Sequence, residues 1–82
     1  MKIHDLKCWP APWQATERDW KTHEVRQDDR GFEEGHVLLL REWDPGSKAY
    51  TGRQLMRRVQ YVSRGPDWGL PHDMVVMSLG AV

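Results

Sequence analysis

The sequence predicts a small α+β fold: a mostly antiparallel sheet of about five strands curled into a barrel, with one helix near the N-terminus. Three observations carry this expectation. The apolar run Val37-Leu38-Leu39-Leu40 is followed by the turn signal Asp44-Pro45-Gly46-Ser47 and then by another strand-like stretch, which reads as an antiparallel hairpin. A proline-led segment of helical spacing follows the first strand. With 82 residues the chain is near the lower limit for a self-sufficient core, and closing the sheet removes exposed strand edges economically. The whole chain, residues 1–82, reads as one domain.

Residues 1–9 form the first expected strand, with Ile3 and Leu6 among polar residues and a stop at Trp9-Pro10. Pro10 to Asp19 is the helix, because proline is tolerated in a first turn whose N–H groups are unpaired anyway. About ten residues make a marginal helix, which packing must hold. Lys21 to Gln27 is a strand, since Thr22 and Val25 suit a half-buried pleat, and Asp28-Asp29-Arg30-Gly31 is a turn. His36 to Trp43 reads as a strand buried on both faces. Tyr50 to Val62 is a long strand interrupted near Gly52, with Leu55, Val59 and Tyr61 as core candidates. A loop rich in Gly and Pro then leads to a last strand, Met74 to Leu79.

Composition narrows the function classes. Five tryptophans, at positions 9, 13, 20, 43 and 68, each bury roughly 150–250 Å² when internal. Together they can supply much of a small core, or line a site where a flat ligand stacks. The single cysteine, Cys8, forms no intramolecular disulfide and fits a reducing compartment. No apolar run approaches the roughly 20 residues of a membrane span, and no secretory apolar region follows the start. A complete, soluble, cytoplasmic protein without membrane partners is expected. The net charge of zero argues against a coat that binds nucleic acid by charge alone. The charge is nonetheless uneven: seven acids and four bases lie between Glu17 and Glu34, six bases and two acids between Arg41 and Arg64.

The stretch from Trp20 to Arg30 holds three bases and three acids with Val25 as its one aliphatic residue. In a regular strand Glu24 and Arg26 share a face, and Lys21 joins them where the strand begins after it. The set offers an acceptor, a point-charge donor and a planar fork donor, suited to a base edge and an adjacent phosphate or carboxylate. Its plain alternative is a surface ion pair worth about 0–1 kcal/mol. Asp28, Asp29 and Arg30 brace this set or shape the turn. Arg41, Glu42 and Arg53 sit beside Trp43 and Tyr50, where arginine next to an aromatic suits base stacking or ordinary snorkelling over an apolar rim. Histidines 4, 23, 36 and 72 and Cys8 lack metal-ligand spacing, so no metal site is expected. Cys8 lacks an activating signature.

With Lys21, Glu24 and Arg26 placed three and then two residues apart after the first helix, the chain resembles the ASCH domains of the PUA-like superfamily. It is similar above all to a small bacterial and phage branch, through Lys2-Ile3-His4-Asp5-Leu6-Lys7, Phe32, Gly35, Leu40-Arg41-Glu42-Trp43-Asp44 and Tyr50-Thr51-Gly52-Arg53. The resemblance implies a small β-barrel plugged by the helix, and a cleft lined by the Lys-Glu-Arg set that takes RNA or a nucleotide-like ligand. Asp19-Trp20 stands where many such domains have glycine. Glu24 stands where the branch hydrolysing acylated cytidine has a nucleophilic threonine, and Thr22, next to Lys21, does not replace it.

The leading expectation is therefore an RNA- or nucleotide-binding module without a cofactor. Lys21, Glu24 and Arg26 line its cleft, and Lys7, Arg41 and Glu42 are further members. The rival is a small hydrolase of a modified nucleoside or single-stranded RNA, with Lys21 and Glu24 as the proton-transfer pair. A third reading is a phage or regulatory protein that docks another protein through exposed tryptophans.

Overall fold

In the computed structural model, which describes residues 2–82, the elements run β1 (Ile3–Cys8), α1 (Pro10–Glu17), β2 (His23–Gln27), β3 (Val37–Asp44), β4 (Ala49–Arg64), a 3-10 turn (Asp67–Gly69) and β5 (Met74–Gly80). Met1, the first residue of the expected opening strand, lies outside the described residues. The strands form one mixed sheet in the order β1-β3-β4-β5-β2, bent into a half-barrel with α1 against it. The expected hairpin is β3–β4, and the β4–β5 and β5–β2 pairs are also antiparallel. The β1–β3 pair is parallel, its crossover carrying α1 and β2.

Strand β1 alternates strictly, with His4, Leu6 and Cys8 inward. The alternation is hidden in the sequence because a histidine occupies a core position and Ile3 faces solvent. His4 packs against Phe32 with the rings tilted and their centroids 4.7 Å apart, and shares a 3.0 Å hydrogen bond with His36.

The helix is two residues shorter than expected. Its last turn closes through Asp19 N–H to Thr16 O and Trp20 N–H to Ala15 O, with Asp19 at φ 59°. This is the helix-ending motif usually built on glycine in the left-handed region. Arg57, from β4, donates to Thr16 O and supplies the cation that the helix C-terminus lacks in its own last turn. Trp13 is the tryptophan that enters the core, and its indole N–H donates to Leu40 O at 2.9 Å.

In β3, Leu38, Leu40 and Glu42 point inward. Leu39 on the opposite face is only half-buried, so the strand is not fully covered on both faces as expected. The interruption expected near Gly52 is present: one residue of β3 faces three of β4 between the Arg41–Gln54 and Trp43–Tyr50 pairs. A second bulge falls at Gln60, where Val59 pairs with Leu79 and Tyr61 with Ser78. The extra residue reverses the alternation, so Val62 enters the core while Tyr61 is 63% exposed. Of the expected core residues on β4, Val59 is buried and Leu55 packs at the core's edge. The Val62 N–H beyond the bulge donates to the Glu34 carboxylate at 2.8 Å.

The turn at Asp28 is built as its composition implies. Asp28 Oδ1 accepts from Gly31 N–H and Phe32 N–H, both at 3.0 Å, and so delivers Phe32 to the centre of the core. No helix among the described residues is long and apolar enough to cross a membrane.

Strands β1 and β2 are the two free edges of the sheet. Arginine side chains from β2 and from the turn after it meet the first edge: Arg26 Nη2 donates to Lys7 O and Arg30 Nη1 to Asp5 O, each at 2.9 Å. A guanidinium carries enough donors to hold a carbonyl across the seam and still bind elsewhere.

Candidate functional site

The site begins with an inversion in β2. This short strand has Val25 as its one aliphatic residue, yet Val25 faces solvent and Glu24, 5% exposed, faces inward. A slip of one residue would reverse both. The carboxylate is held in place by cations on either side. Lys21 Nζ meets Glu24 Oε1 at 2.8 Å, and Arg26 Nε meets Glu24 Oε2 at 2.8 Å. Removing a carboxylate from water costs several kcal/mol unless such partners compensate it.

Lys21 reaches the carboxylate because it lies in the connection between the end of α1 and the first residue of β2, off the strand's alternation. Its ammonium also donates to His23 O at 2.6 Å. Arg26 extends past Glu24 to Lys7 O and to Cys8 Sγ, the latter at 3.4 Å. These contacts leave one of the three Lys21 ammonium protons and the Arg26 Nη1 group without a protein acceptor among the described residues. Both Glu24 oxygens, in contrast, are engaged by cationic donors. The arrangement presents donors to a ligand and uses its carboxylate to aim them.

A surface cleft of about 390 Å³ opens over this set along the β1–β2 seam. Its size suits a nucleoside-sized group. Lys7, Lys21 and Arg26 against Glu24 give its lining a surplus of two positive charges, with Trp9, Pro12, Cys8 and Val25 as the less polar wall. Trp9 is 58% exposed at the start of α1, where the following proline-led turn holds it out of the core. The five tryptophans of the sequence allow for one that lines a site, without singling out Trp9. The signal was Trp9-Pro10, a large aromatic just before a helix whose first turn carries prolines. Burial, and after it the nearby Glu24 carboxylate, push the Cys8 thiol up to about 11, so it stays protonated at neutral pH and is no nucleophile there.

The further expected members lie apart from this set. Lys7 lines the cleft but carries its ammonium 4.3 Å from the Trp43 ring centroid. Arg41 is on the outer face of β3, 3.9 Å from the Tyr50 ring and 3.3 Å from Asp5 Oδ2. Neither Arg41 nor Glu42 lines the cleft. Glu42, 4% exposed, anchors a second polar cluster: Oε1 accepts from Thr51 at 2.7 Å and Arg53 Nε at 3.0 Å, and Oε2 from Gln14 at 3.3 Å. Burial alone raises its pKa, but hydrogen bonds from Arg53, Thr51 and Gln14 outweigh burial and hold the carboxyl below the ordinary range. Arg53 also covers Trp13 at 4.5 Å, so this cluster ties the long hairpin to the helix.

A hollow of about 420 Å³ lies on another side of Lys21, walled by Asp19, Arg57, Met56 and the C-terminal residues 79–82. Arg57 is engaged there by Thr16 O and by Asp19 at 3.6 Å. Unlike the seam cleft, the hollow has no tryptophan in its wall.

A family model described as a domain of unknown function, DUF3850, matches residues 3–79. An uncharacterised 12.9 kDa protein in the GpA 3′ region of Escherichia phage P2 is 34% identical over 81 residues, an alignment covering 99% of this chain and 72% of that protein. The matched span takes in the whole cleft and every strand but for the last residue of β5, and on this likeness the chain belongs to the DUF3850 family.

Proposed function

We propose that the chain is an ASCH-like, PUA-like binding module of the cytoplasm, and that its seam cleft takes RNA or a nucleotide. The observation that carries this reading is the inverted face of β2: a carboxylate between two cations is buried where the strand's own valine would pack. A surface pair adds little stability and a buried one is weak evidence for it, so stability alone is a poor reason for the arrangement.

In the proposed complex the free ammonium proton of Lys21 and the Nη1 group of Arg26 meet phosphate or exocyclic oxygens. Glu24 holds both donors in place, and the Trp9 indole stacks on the base. The reading is non-catalytic. Each Glu24 oxygen accepts from a cationic donor, and in this reading the carboxylate serves to aim those donors.

Titration of cytidine and uridine monophosphates and of short single-stranded RNA at fixed salt tests this. Trp9→Ala removes an exposed ring and leaves the fold unchanged. It is expected to weaken binding by roughly 5- to 100-fold. Arg26→Lys keeps the charge but loses the fork and weakens binding while the melting temperature stays close to that of the parent. Affinity unchanged in both variants would contradict the reading.

A further inference from the structure

We infer that the outer face of β1, β3 and the hairpin end of β4 continues the cleft as a stacking track for single-stranded nucleic acid, with Trp43 and Tyr50 as its platforms. This rests on the proposed use of the cleft and adds to it the class of ligand: a polynucleotide segment rather than a lone nucleotide.

The alternation of β1 turns Lys7 outward, and Lys7 pairs with Arg41 in the parallel register. Arg41 and Trp43 flank the inward Glu42 and so share the outer face of β3. Trp43 is directly opposite Tyr50 on β4, which puts two aromatic residues at facing positions on that face. Each ring carries a cation: the Lys7 ammonium at 4.3 Å from the Trp43 centroid and the Arg41 guanidinium at 3.9 Å from that of Tyr50.

Lys7 is the hinge of the inference, because it lines the cleft and yet carries its charge over Trp43. A strand leaving the cleft therefore meets a cation and an aromatic ring next, and then a second cation and ring. From β1 to β4 the track crosses two inter-strand spacings, roughly 10 Å. Alternating rings and cations are what a single strand requires, since every base has a π-face and every linkage a phosphate. The one carboxylate paired with these groups is Asp5, at 3.3 Å from Arg41. Binding here needs only that the two cations swing from ring to phosphate while a base takes their place.

The test compares uridine monophosphate with uridylate trimers and hexamers, and with thymidylate oligomers of the same lengths, at one salt concentration. The parent protein is expected to bind the hexamer at least about 10-fold more tightly than the mononucleotide. Tyr50→Ala should remove most of that length gain and leave mononucleotide affinity unchanged, whereas Tyr50→Phe should keep it. The RNA and DNA arms report which sugar the track accepts. A length gain that survives Tyr50→Ala together with Trp43→Ala, or a parent with mononucleotide binding and no length gain, overturns the track and leaves the cleft reading standing. A parent that binds neither mononucleotide nor oligomer overturns both. Self-association abolished by Tyr50→Ala, with no length gain, would instead make this face an interface between copies of the chain.

Discussion

Glu24 shows how much one side chain can decide. With its neighbours it turns a short strand so that the aliphatic residue is outside and the charge inside. That choice is visible only in three dimensions, because Glu24 and Val25 are adjacent and alternation alone permits either to face the core. His4 is a second case. It faces His36, with which it hydrogen-bonds, the Phe32 ring, and the charges of Lys2, Arg30 and Asp28, while Glu33 faces His36 at 3.8 Å. Burial first, and then His36, Lys2 and Arg30, lower its pKa from the ordinary histidine value. The unfolded chain therefore takes up this proton at higher pH than the folded one. Stability is full above about pH 6.5 and falls as the pH drops below it, by at most about 1.4 kcal/mol per unit. Urea unfolding at pH 7.5, 6.5 and 5.5 should show this slope in the parent. His4→Gln should flatten it, whatever its effect on absolute stability.

At the scale of the element, the end of α1 sets where Lys21 stands. Asp19 occupies a left-handed position that glycine would take without strain. Its ion pair with Arg57, at 3.6 Å from a largely exposed carboxylate, offsets little of that cost. Asp19→Gly is expected to stabilise the fold by up to about 1 kcal/mol, and thermal melts report it. A loss of stability would mean that Asp19 contributes more than its backbone shape. The same junction explains how Lys21 joins Glu24 and Arg26: the strand begins at His23, two residues after the lysine. The Gln60 bulge works in the opposite sense. It reverses the alternation of β4 and sends Tyr61, a residue that suits a core, to the surface.

At the scale of the molecule, the sheet is a half-barrel whose free edges are β1 and β2, and the candidate site is built on that seam. The hairpin, the number of strands and the Lys-Glu-Arg set were legible in the sequence because turn residues and charge spacing are local signals. The parallel β1–β3 pair and the crossing of the seam by Arg26 and Arg30 were not, since they join residues far apart in the chain. Trp9 escaped for a related reason: its one local mark is the proline that follows it, and it is the packing around α1 that sends Trp13 inward and leaves Trp9 at the cleft.

The central claim is that Glu24 is buried between the half-buried Lys21 and Arg26 to hold a ligand and not to hold the fold. Replacing all three at once, as Lys21→Met, Glu24→Leu and Arg26→Leu, leaves no buried charge unpaired, and such apolar replacement of an ion triad is often neutral or stabilising by about 1–4 kcal/mol. Calorimetric titration of this triple variant and of the parent with short single-stranded RNA, at one salt concentration, is the direct measurement. The expected result is a folded variant, melting at or above the parent's temperature, that has lost RNA binding. Equal binding by parent and variant, or no binding by the parent, would contradict it.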